Sequence, residues 1–310
     1  MIYTCTITPS VDYTTYLPSF ATGKLNRTSE VFYYPGGKGI NVSRVLKRLG
    51  VDNKALGFIG GFTGNYIEDF LLREGVETNF IETSEITRIN VKIKADEETE
   101  LNGPGPVLDA HHLEKMTEKI KNMEAGDWFV LAGSLPTSIP LAYYSGLAKL
   151  CNVQGIHFVL DTSGSALKEL VKFSPFLIKP NIHELGEMFG VPISSKAEAY
   201  QYAKKLVDGG VRNVIVSLGG DGALFVNDTS AYAAEAPKGK VINTVGSGDS
   251  LVSGFIASFI KTQNSLEAFR YGVACGSATA FQSDLCKKDD VEALLEKVQV
   301  QKIQHGDVNV

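Results

Sequence analysis

The chain has 310 residues, of which 44% are hydrophobic and 21% charged, and its formal net charge is −5. This composition excludes disordered and fibrous proteins and predicts a compact globular chain with a substantial core. The net negative charge provides no general field that attracts nucleic acid, so any bound phosphate must be held by a few local residues.

Most of the chain alternates short β-rich runs with amphipathic helical stretches, which is the pattern of parallel βαβ units. The predicted strands include Lys54–Ile59, Trp128–Ala132, His157–Leu160, Phe176–Lys179, Val214–Ser217 and Ala223–Val226. Predicted helices include Ile40–Leu49, which is followed by Gly50 as a stop signal, and Tyr66–Arg73, which is preceded by Asn65 as an N-cap. The pattern predicts an α/β fold, a three-layer α/β/α sandwich around a mostly parallel, doubly wound sheet, with residues 1–310 forming one domain.

Two segments, 11–35 and 87–102, do not fit this alternation and predict an inserted β-sheet lid. The second segment reads as two strands joined by a turn at residues 96–98. Because side chains alternate along a strand, Arg88–Lys94 places its residues on two faces. The polar face carries Arg88, Asn90, Lys92 and Lys94, and the apolar face carries Ile89, Val91 and Ile93. We expect the polar face to cover a site and the apolar face to form a homodimer through the lids.

A glycine cluster, Pro35-Gly-Gly-Lys-Gly-Ile-Asn41, precedes the first predicted helix. Its glycines can bring the backbone against a sugar, while Lys38 contacts a phosphate and Asn41 contacts hydroxyls. The cluster is neither a Walker A loop nor a dinucleotide fingerprint, because the required Ser or Thr and the required glycine spacing are absent. Taken alone, it is also compatible with a purely structural turn.

The most informative segment is Asn243-Thr-Val-Gly-Ser-Gly-Asp-Ser250, followed by a buried helix predicted over Leu251–Ile260. Its glycines let several backbone N–H groups point at one place, and the helix dipole adds positive potential, so the segment predicts an anion hole. Asp249 would be a poor phosphate ligand but a good base for a hydroxyl that approaches phosphorus. The alternative is a glycine turn in which Asp249 only begins the helix.

The remaining sequence features bear on location and redox state. The four cysteines are scattered, which favours reduced, buried thiols over a zinc site or a disulfide framework. Residues 1–9 lack a secretory pattern and no stretch is apolar for long enough to span a bilayer, so we expect a cytoplasmic protein without membrane contact. The polar tail, residues 299–310, is expected to be frayed.

Together the two glycine clusters resemble the sequence signatures of the PfkB family of carbohydrate kinases, which has a ribokinase-like fold. Gly36–Asn41 matches the first signature, and Asn243–Ser250 matches the second, although Asn243 and Ser247 replace the usual Asp and Ala. Matching segments over nearly the whole chain are Thr8–Asp12, Asn102–Pro106, Leu131–Pro136, Lys179–Glu184 and Ser217–Gly222.

The resemblance implies ATP-dependent phosphorylation with Asp249 as catalytic base and the backbone of Gly246, Ser247 and Gly248 as anion hole. It implies that Glu184 helps to hold the Mg²⁺ that accompanies ATP, through water. The residues that match the nucleotide-binding side are Lys179, Asn181, Ser217, Gly219, Gly220 and Gly222. Some members of the family also use a monovalent cation, and the resemblance implies a potassium site in this chain, built from backbone carbonyls near Asn243 and Val245.

The residues that match the sugar-binding side are Asp12, Gly36, Gly37, Lys38, Asn41, Arg88, Asn102 and Ser134. In this interpretation Asp12 accepts hydrogen bonds from adjacent hydroxyls, and the planar fork of Arg88, assisted by Lys38, anchors the substrate phosphate. The expected substrate is a ketohexose phosphate. Within the family, segments 34–50 and 100–106 most resemble kinases of fructose 1-phosphate, so the resemblance implies this substrate, with tagatose 6-phosphate and fructose 6-phosphate as alternatives.

Two other classes of function remain open. A sensor could keep the fold and bind nucleotide or sugar phosphate without turnover, although the intact loop around Asp249 favours activity. A dinucleotide-dependent oxidoreductase is disfavoured by the missing fingerprint. The partners expected for the kinase are ATP and a sugar phosphate, with no nucleic acid and no membrane.

Overall fold

The computed structural model describes residues 1–28 and 30–303. In chain order the strands are β1 (Ile2–Thr6), β2 (Ser10–Tyr16), β3 (Glu30–Gly36), β4 (Lys54–Ile59), β5 (Glu77–Thr78), β6 (Ile81–Glu82), β7 (Arg88–Lys94), β8 (Glu98–Asn102), β9 (Trp128–Ala132), β10 (His157–Asp161), β11 (Leu177–Ile178), β12 (Asn213–Ser217), β13 (Ala223–Asn227), β14 (Ala231–Ala234) and β15 (Val300–Lys302). The α-helices are α1 (Lys38–Arg48), α2 (Gly61–Arg73), α3 (Ala110–Lys121), α4 (Leu141–Gln154), α5 (Gly164–Leu170), α6 (Ile182–Phe189), α7 (Lys196–Asp208), α8 (Ser247–Thr262), α9 (Ser265–Ala280) and α10 (Lys288–Leu295).

The main sheet has 11 strands in the order β15-β14-β13-β12-β11-β10-β9-β1-β4-β5, with β6 paired to β4. The strands from β12 to β5 in this order pair in parallel, whereas β13, β14 and β15 pair antiparallel. All six strands predicted from the sequence are present, although β11 is shorter than expected. The carboxyl ends of the parallel strands therefore meet at one edge, where such folds bind ligands.

The strands of the main sheet are apolar on both faces, and this explains the layers. In β9, Phe129 and Leu131 pack into one hydrophobic cluster, while Trp128 and Val130 pack into another. The first cluster includes residues of α3 to α7, and the second includes residues of α1, α8, α9 and α10. Helices thus cover both faces of the sheet, and the predicted three-layer α/β/α fold is confirmed.

The inserted sheet predicted from the irregular segments has four strands in the order β3-β2-β7-β8. In register, Asp12 lies opposite Tyr34 on β3 and Asn90 on β7, and Asn90 lies opposite Asn102 on β8. These side chains therefore share one face of the sheet, the polar face, with Lys92 and Lys94.

Two local predictions are wrong. Helix α2 begins at Gly61 rather than after Asn65, with Gly60 as its N-cap, because the Gly60 N–H and the Thr63 hydroxyl both bond to Thr87, far along the chain. The tail is not frayed over its whole length, since Val300–Lys302 forms β15 against β14. Residues 304–310 of the predicted frayed tail lie outside the described residues.

The cysteine prediction holds: Cys5, Cys151, Cys275 and Cys286 are all buried and free. None of the helices within residues 1–28 and 30–303 has the length and apolar character needed to span a bilayer.

Candidate active site

Asp249 lies at the N-terminus of α8 and is only 5% exposed. The helix begins after Gly246, whose φ of 80° is left-handed and suits glycine. The first N–H groups of a helix have no partner inside it, so Ser247, Gly248 and Asp249 offer donors at this end. One of them is engaged, because the Ser247 N–H donates to the Thr244 carbonyl at 3.2 Å. The Ser247 hydroxyl, by contrast, is buried and has no hydrogen-bond partner within residues 1–28 and 30–303.

The first glycine cluster meets this helix end directly. Asn41 Nδ2 donates to Asp249 Oδ2 at 2.8 Å, so the two predicted signatures, more than 200 residues apart, form one site. Gly36 precedes α1 at the end of β3, where a Cβ atom would collide with the side chains of Asp12 and Ser10. This position therefore needs glycine for close approach.

Lys38 lies on the Asp249 side of the site. Its Nζ is 3.0 Å from Asp161 Oδ1, and Lys179 Nζ is 3.6 Å from the same oxygen. Asp161 ends β10 and is 1% exposed, and no group in the described part of the chain forms a hydrogen bond with its Oδ2. Two ammonium groups and one orphaned carboxylate oxygen thus converge beside Asp249.

The pKa values of the two buried carboxyl groups, Asp249 and Asp161, are shifted in opposite directions. Burial raises the pKa of Asp249 to about 6, with a further contribution from the charge of Asp161, while Lys38, Asn41 and Lys179 oppose the shift. Burial also favours a raised pKa for Asp161, but Lys179 and Lys38 outweigh it and the net pKa is lowered. Asp161 raises the pKa of Lys38 above its ordinary value. Asp161 is therefore ionised at neutral pH, and Asp249 titrates near the range of a general base.

A cavity of about 730 Å³ opens on one side of Asp249. Its lining includes the predicted nucleotide-side residues Asn181, Ser217, Gly219, Gly220 and Gly222, together with Ser247 and Gly248. Lys179 approaches its wall, since a Cβ on Gly248 would lie 2.9 Å from Lys179 Nζ. The structure therefore brings all the predicted nucleotide-side residues together.

Asn181 and Glu184 form a capping box at the start of α6. The Glu184 N–H donates to Asn181 Oδ1, and the Asn181 N–H donates to Glu184 Oε2, both at 2.8 Å. No group of three or more His, Cys, Asp or Glu side chains among the described residues is arranged to hold a metal. The orphaned Asp161 oxygen and the carboxylate of Glu184 nevertheless fit a metal held mainly by phosphates and water.

A second cavity, of about 350 Å³, lies between the polar face of the inserted sheet and the loops around Asn243 and Asp284. Asp12 is fixed there, because its Oδ1 accepts hydrogen bonds from Ser10 Oγ at 2.7 Å and from Asn90 Nδ2 at 3.1 Å. Lys92 Nζ is 3.2 Å from Asp12 Oδ2. Gly36 and Asn41 also line this cavity, so Asn41 connects it to Asp249.

Arg88, Asn102 and Ser134 lie at the margin of the site. Among the described residues, the buried Nε of Arg88 has no hydrogen-bond partner, and the only hydrogen bond of this side chain is a long one, 3.5 Å, from Nη1 to the Gly103 carbonyl. Burial lowers the pKa of Arg88, and Asp12 opposes that shift. Asn102 and Ser134 are exposed. These three residues do not line either of the two cavities described above.

Sequence reasoning missed Asp161 and the contact of Lys92 with Asp12. A carboxylate directly after a buried parallel strand was a signal for Asp161. The alternation of β7 already placed Lys92 on the polar face with Arg88, but nothing in the sequence aligned it with Asp12 on β2.

Comparisons with known proteins identify the family. A sequence model described as "pfkB family carbohydrate kinase" matches residues 6–291. The chain belongs to this family. It is 51% identical over 303 residues to the 1-phosphofructokinase of Bacillus subtilis, and the match covers 98% of this chain and 100% of the relative. It is 36% identical to a D-tagatose-1-phosphate kinase of Bacillus licheniformis, over 97% of this chain and 99% of the relative.

Among solved structures, the phosphofructokinase-2 of Escherichia coli in complex with substrates and products superposes with a TM-score of 0.91. The two are 31% identical, and the match covers 96% of this chain and 98% of that one. The pfkB relatives and this structural match confirm the predicted ribokinase-like fold and the predicted class, phosphotransferases with an alcohol acceptor.

Proposed function

We propose that this chain transfers the γ-phosphoryl group of MgATP to fructose 1-phosphate and produces fructose 1,6-bisphosphate and ADP. The observation that carries the proposal is the position of Asp249, buried at a helix N-terminus and bonded to Asn41 between a nucleotide-sized cavity and a smaller polar one. The 1-phosphofructokinase name of the Bacillus subtilis relative supports the choice of substrate.

In the proposed mechanism, Asp249 accepts the proton of the C6 hydroxyl as that oxygen attacks the γ-phosphorus. The new oxygen–phosphorus bond forms in line with the bond between the γ-phosphorus and the β-phosphate oxygen. That bond breaks, and its oxygen leaves with ADP. The N–H groups of Gly246, Ser247 and Gly248 stabilise the charge on the transferred group, and the Ser247 N–H must leave Thr244 to take part.

Lys38 acts in this proposal on the transferring phosphoryl group rather than on the distant substrate phosphate. Its ion pair with Asp161 holds it beside Lys179 and Asp249, so it faces the charge that develops during transfer. The sequence had instead suggested that Lys38 assists Arg88 in anchoring the substrate phosphate. Arg88, half-buried and without an ion pair among the described residues, keeps the role of anchor for the substrate phosphate.

Asp161 and Glu184 are the residues that would hold Mg²⁺, Glu184 through water. Bound with ATP, the metal would neutralise part of the negative charge of the nucleotide phosphates. Lys179, Asn181, Ser217, Gly219, Gly220 and Gly222 would bind the rest of the nucleotide.

On the sugar side, we assign Asp12, Gly36, Gly37, Asn41, Asn102 and Ser134 to the substrate. Asp12 is held by Ser10, Asn90 and Lys92, which fixes the free lone pairs of its carboxylate toward the sugar hydroxyls. Asn102 and Ser134, which are exposed, would contact the substrate only when the lid closes over it.

The finer assignments of location, assembly and cation requirement are also part of the proposal. We propose one domain whose lid segments, 11–35 and 87–102, join two copies into a homodimer in the cytoplasm. A solved structure of the Escherichia coli relative is a tetrameric inhibited form, and another is in complex with potassium. We propose a potassium site near Asn243 and Val245, where Asn243 Oδ1 already bonds the Val245 N–H at 3.1 Å.

The deciding experiment measures ADP release from MgATP with fructose 1-phosphate, fructose 6-phosphate, tagatose 6-phosphate or tagatose 1-phosphate as acceptor. We expect the highest kcat/KM with fructose 1-phosphate and a loss of kcat of about 100-fold or more in Asp249→Asn, which removes the base. The matched control is Asp228→Asn in an exposed turn, which should retain normal turnover.

Each other outcome has a definite meaning. A tagatose phosphate as the best acceptor would keep the mechanism and change the substrate. Near-normal turnover of Asp249→Asn would refute the proposed base. Nucleotide binding without turnover on any of the four acceptors would favour the sensor.

A further inference from the structure

A groove of about 450 Å³ lies on the α3 side of the main sheet, away from both cavities of the active site. It runs between α3 and the edge formed by β4 and the segment 79–82. Its lining includes the buried side chain of Ile81 and the half-buried rings of Tyr3 and Phe80. None of its residues belongs to the proposed active site.

Three lysines line this groove, and they lie close enough to repel one another. Lys115 and Lys119 are four residues apart on α3 and project from the same side of the helix, and Lys54 approaches from β4. Burial lowers the pKa of Lys119, and the positive charges of Lys115 and Lys54 lower it further.

The part of the chain that the structure describes pairs only one of these three lysines with a carboxylate. Lys54 Nζ is 3.2 Å from Glu77, whereas Lys119 donates to the neutral side chain of Asn79. Across the described residues, no carboxylate lies within 4.0 Å of the amino group of Lys115 or Lys119. Glu82 and Glu118 also line the groove, but both are exposed, and the ion pairs of the described residues include none between them and the three lysines.

Uncompensated like charges along one concave surface cost free energy unless an anion joins them. We propose that this groove is a second binding site, separate from the active site, for a small phosphorylated anion. Its phosphate lies between Lys115, Lys119 and Lys54, and the rest of the molecule lies against Tyr3 and Phe80. The volume of about 450 Å³ is large enough for a small metabolite. This site goes beyond the proposed function and does not depend on it.

The test uses inorganic pyrophosphate as the probe and isothermal titration calorimetry as the measurement. We expect saturable binding by the wild-type chain and at least about tenfold weaker binding by K115Q/K119Q, which removes two charge-assisted contacts. The matched control is K168Q/K172Q, which removes the same charge from two exposed lysines with the same spacing. Lys179→Gln identifies any binding at the active site and should leave the groove unaffected.

Equal affinity of the wild type and K115Q/K119Q, or no saturable binding to the wild type, would overturn the proposal. Binding that is lost in Lys179→Gln but kept in K115Q/K119Q would do the same. A second measurement needs no ligand: K115Q should raise the melting temperature at low salt, and added salt should cancel the gain. A lower melting temperature for K115Q would show that the lysines do not repel each other.

Discussion

Two buried carboxyl groups, Asp249 and Asp161, divide the chemistry of the site between them. Asp161 is ionised because two lysines surround it, and its charge helps to raise the pKa of Asp249 to about 6. A base must be deprotonated to accept a proton. We therefore expect kcat/KM to fall tenfold per pH unit below about pH 6, where Asp249 becomes protonated in the free enzyme.

Asp161→Asn separates this electrostatic effect from a merely structural one. Burial is the larger cause of the raised pKa, but removal of the Asp161 charge also frees Lys38 and Lys179 to stabilise the Asp249 carboxylate. The loss of the Asp161 charge and the stronger effect of the two lysines each lower the pKa of Asp249. The acidic limb of the kcat/KM profile should therefore move to lower pH, while activity falls. An unchanged limb in Asp161→Asn would show that Asp249 does not set it.

At the scale of elements, a buried ion-pair network joins three parts of the fold around the substrate-side cavity. Arg44 on α1 is 2% exposed and reaches Glu74 at the end of α2, with Nε to Oε2 at 2.8 Å, and Asp284 before α10, with Nη2 to Oδ2 at 2.8 Å. Arg48 contacts the same two carboxylates at 2.7 Å. The network therefore holds the loop around Asp284, which lines the cavity, in place against α1 and α2.

Loss of Arg44 should strongly destabilise the fold, because it leaves the partly buried carboxylates of Glu74 and Asp284 with one cation instead of two. We expect Arg44→Met to lower the free energy of unfolding by about 3–5 kcal/mol, measured by urea denaturation at neutral pH. Lys47→Met is the matched control on the same helix, since Lys47 pairs with the exposed Asp52 and should cost less than about 1 kcal/mol. Equal losses for the two variants would contradict the structural role of the network.

The network also has a definite pH dependence. Burial favours raised pKa values for Glu74 and Asp284, but Arg44 and Arg48 outweigh it and both pKa values are lowered. A lowered pKa of an acid contributes stability above its unfolded value, and that stability is lost as the pH falls through the folded value. The difference between wild type and Arg44→Met should therefore shrink in acid.

The elements show what the sequence could and could not predict. Strands such as Trp128–Ala132 were predictable because residues apolar on both faces fit only a covered parallel sheet. The start of α2 was not, because Gly60 and Thr63 bond to Thr87, a contact between distant parts of the chain. The same limit applies within the site: the motifs identified Asp249 and Asn41, but only the fold directs Lys38 toward Asp161.

At the scale of the whole molecule, the outer face of the inserted sheet carries a row of apolar side chains in register. Tyr33, Tyr13, Val91 and Leu101 lie opposite one another across β3, β2, β7 and β8. Tyr33 is 53% exposed and Leu101 59% exposed, and Ile89 is 40% exposed on the same face. Contiguous apolar surface of this kind is typical of a protein interface, and a twofold axis would pair the row with its own copy.

We expect light scattering to show a dimer for the wild-type chain and a monomer for Leu101→Glu, because the variant would bury a charge within the contact. The matched control is Val153→Glu on α4, an even more exposed valine at 85% that lies outside the sheet. A dimer in both variants would place the interface elsewhere, and a monomeric wild type would exclude it.

Because the polar face of the same sheet carries Asp12 and Lys92, loss of the dimer should also loosen the substrate side, and Leu101→Glu should raise the KM for the sugar phosphate more than the KM for ATP.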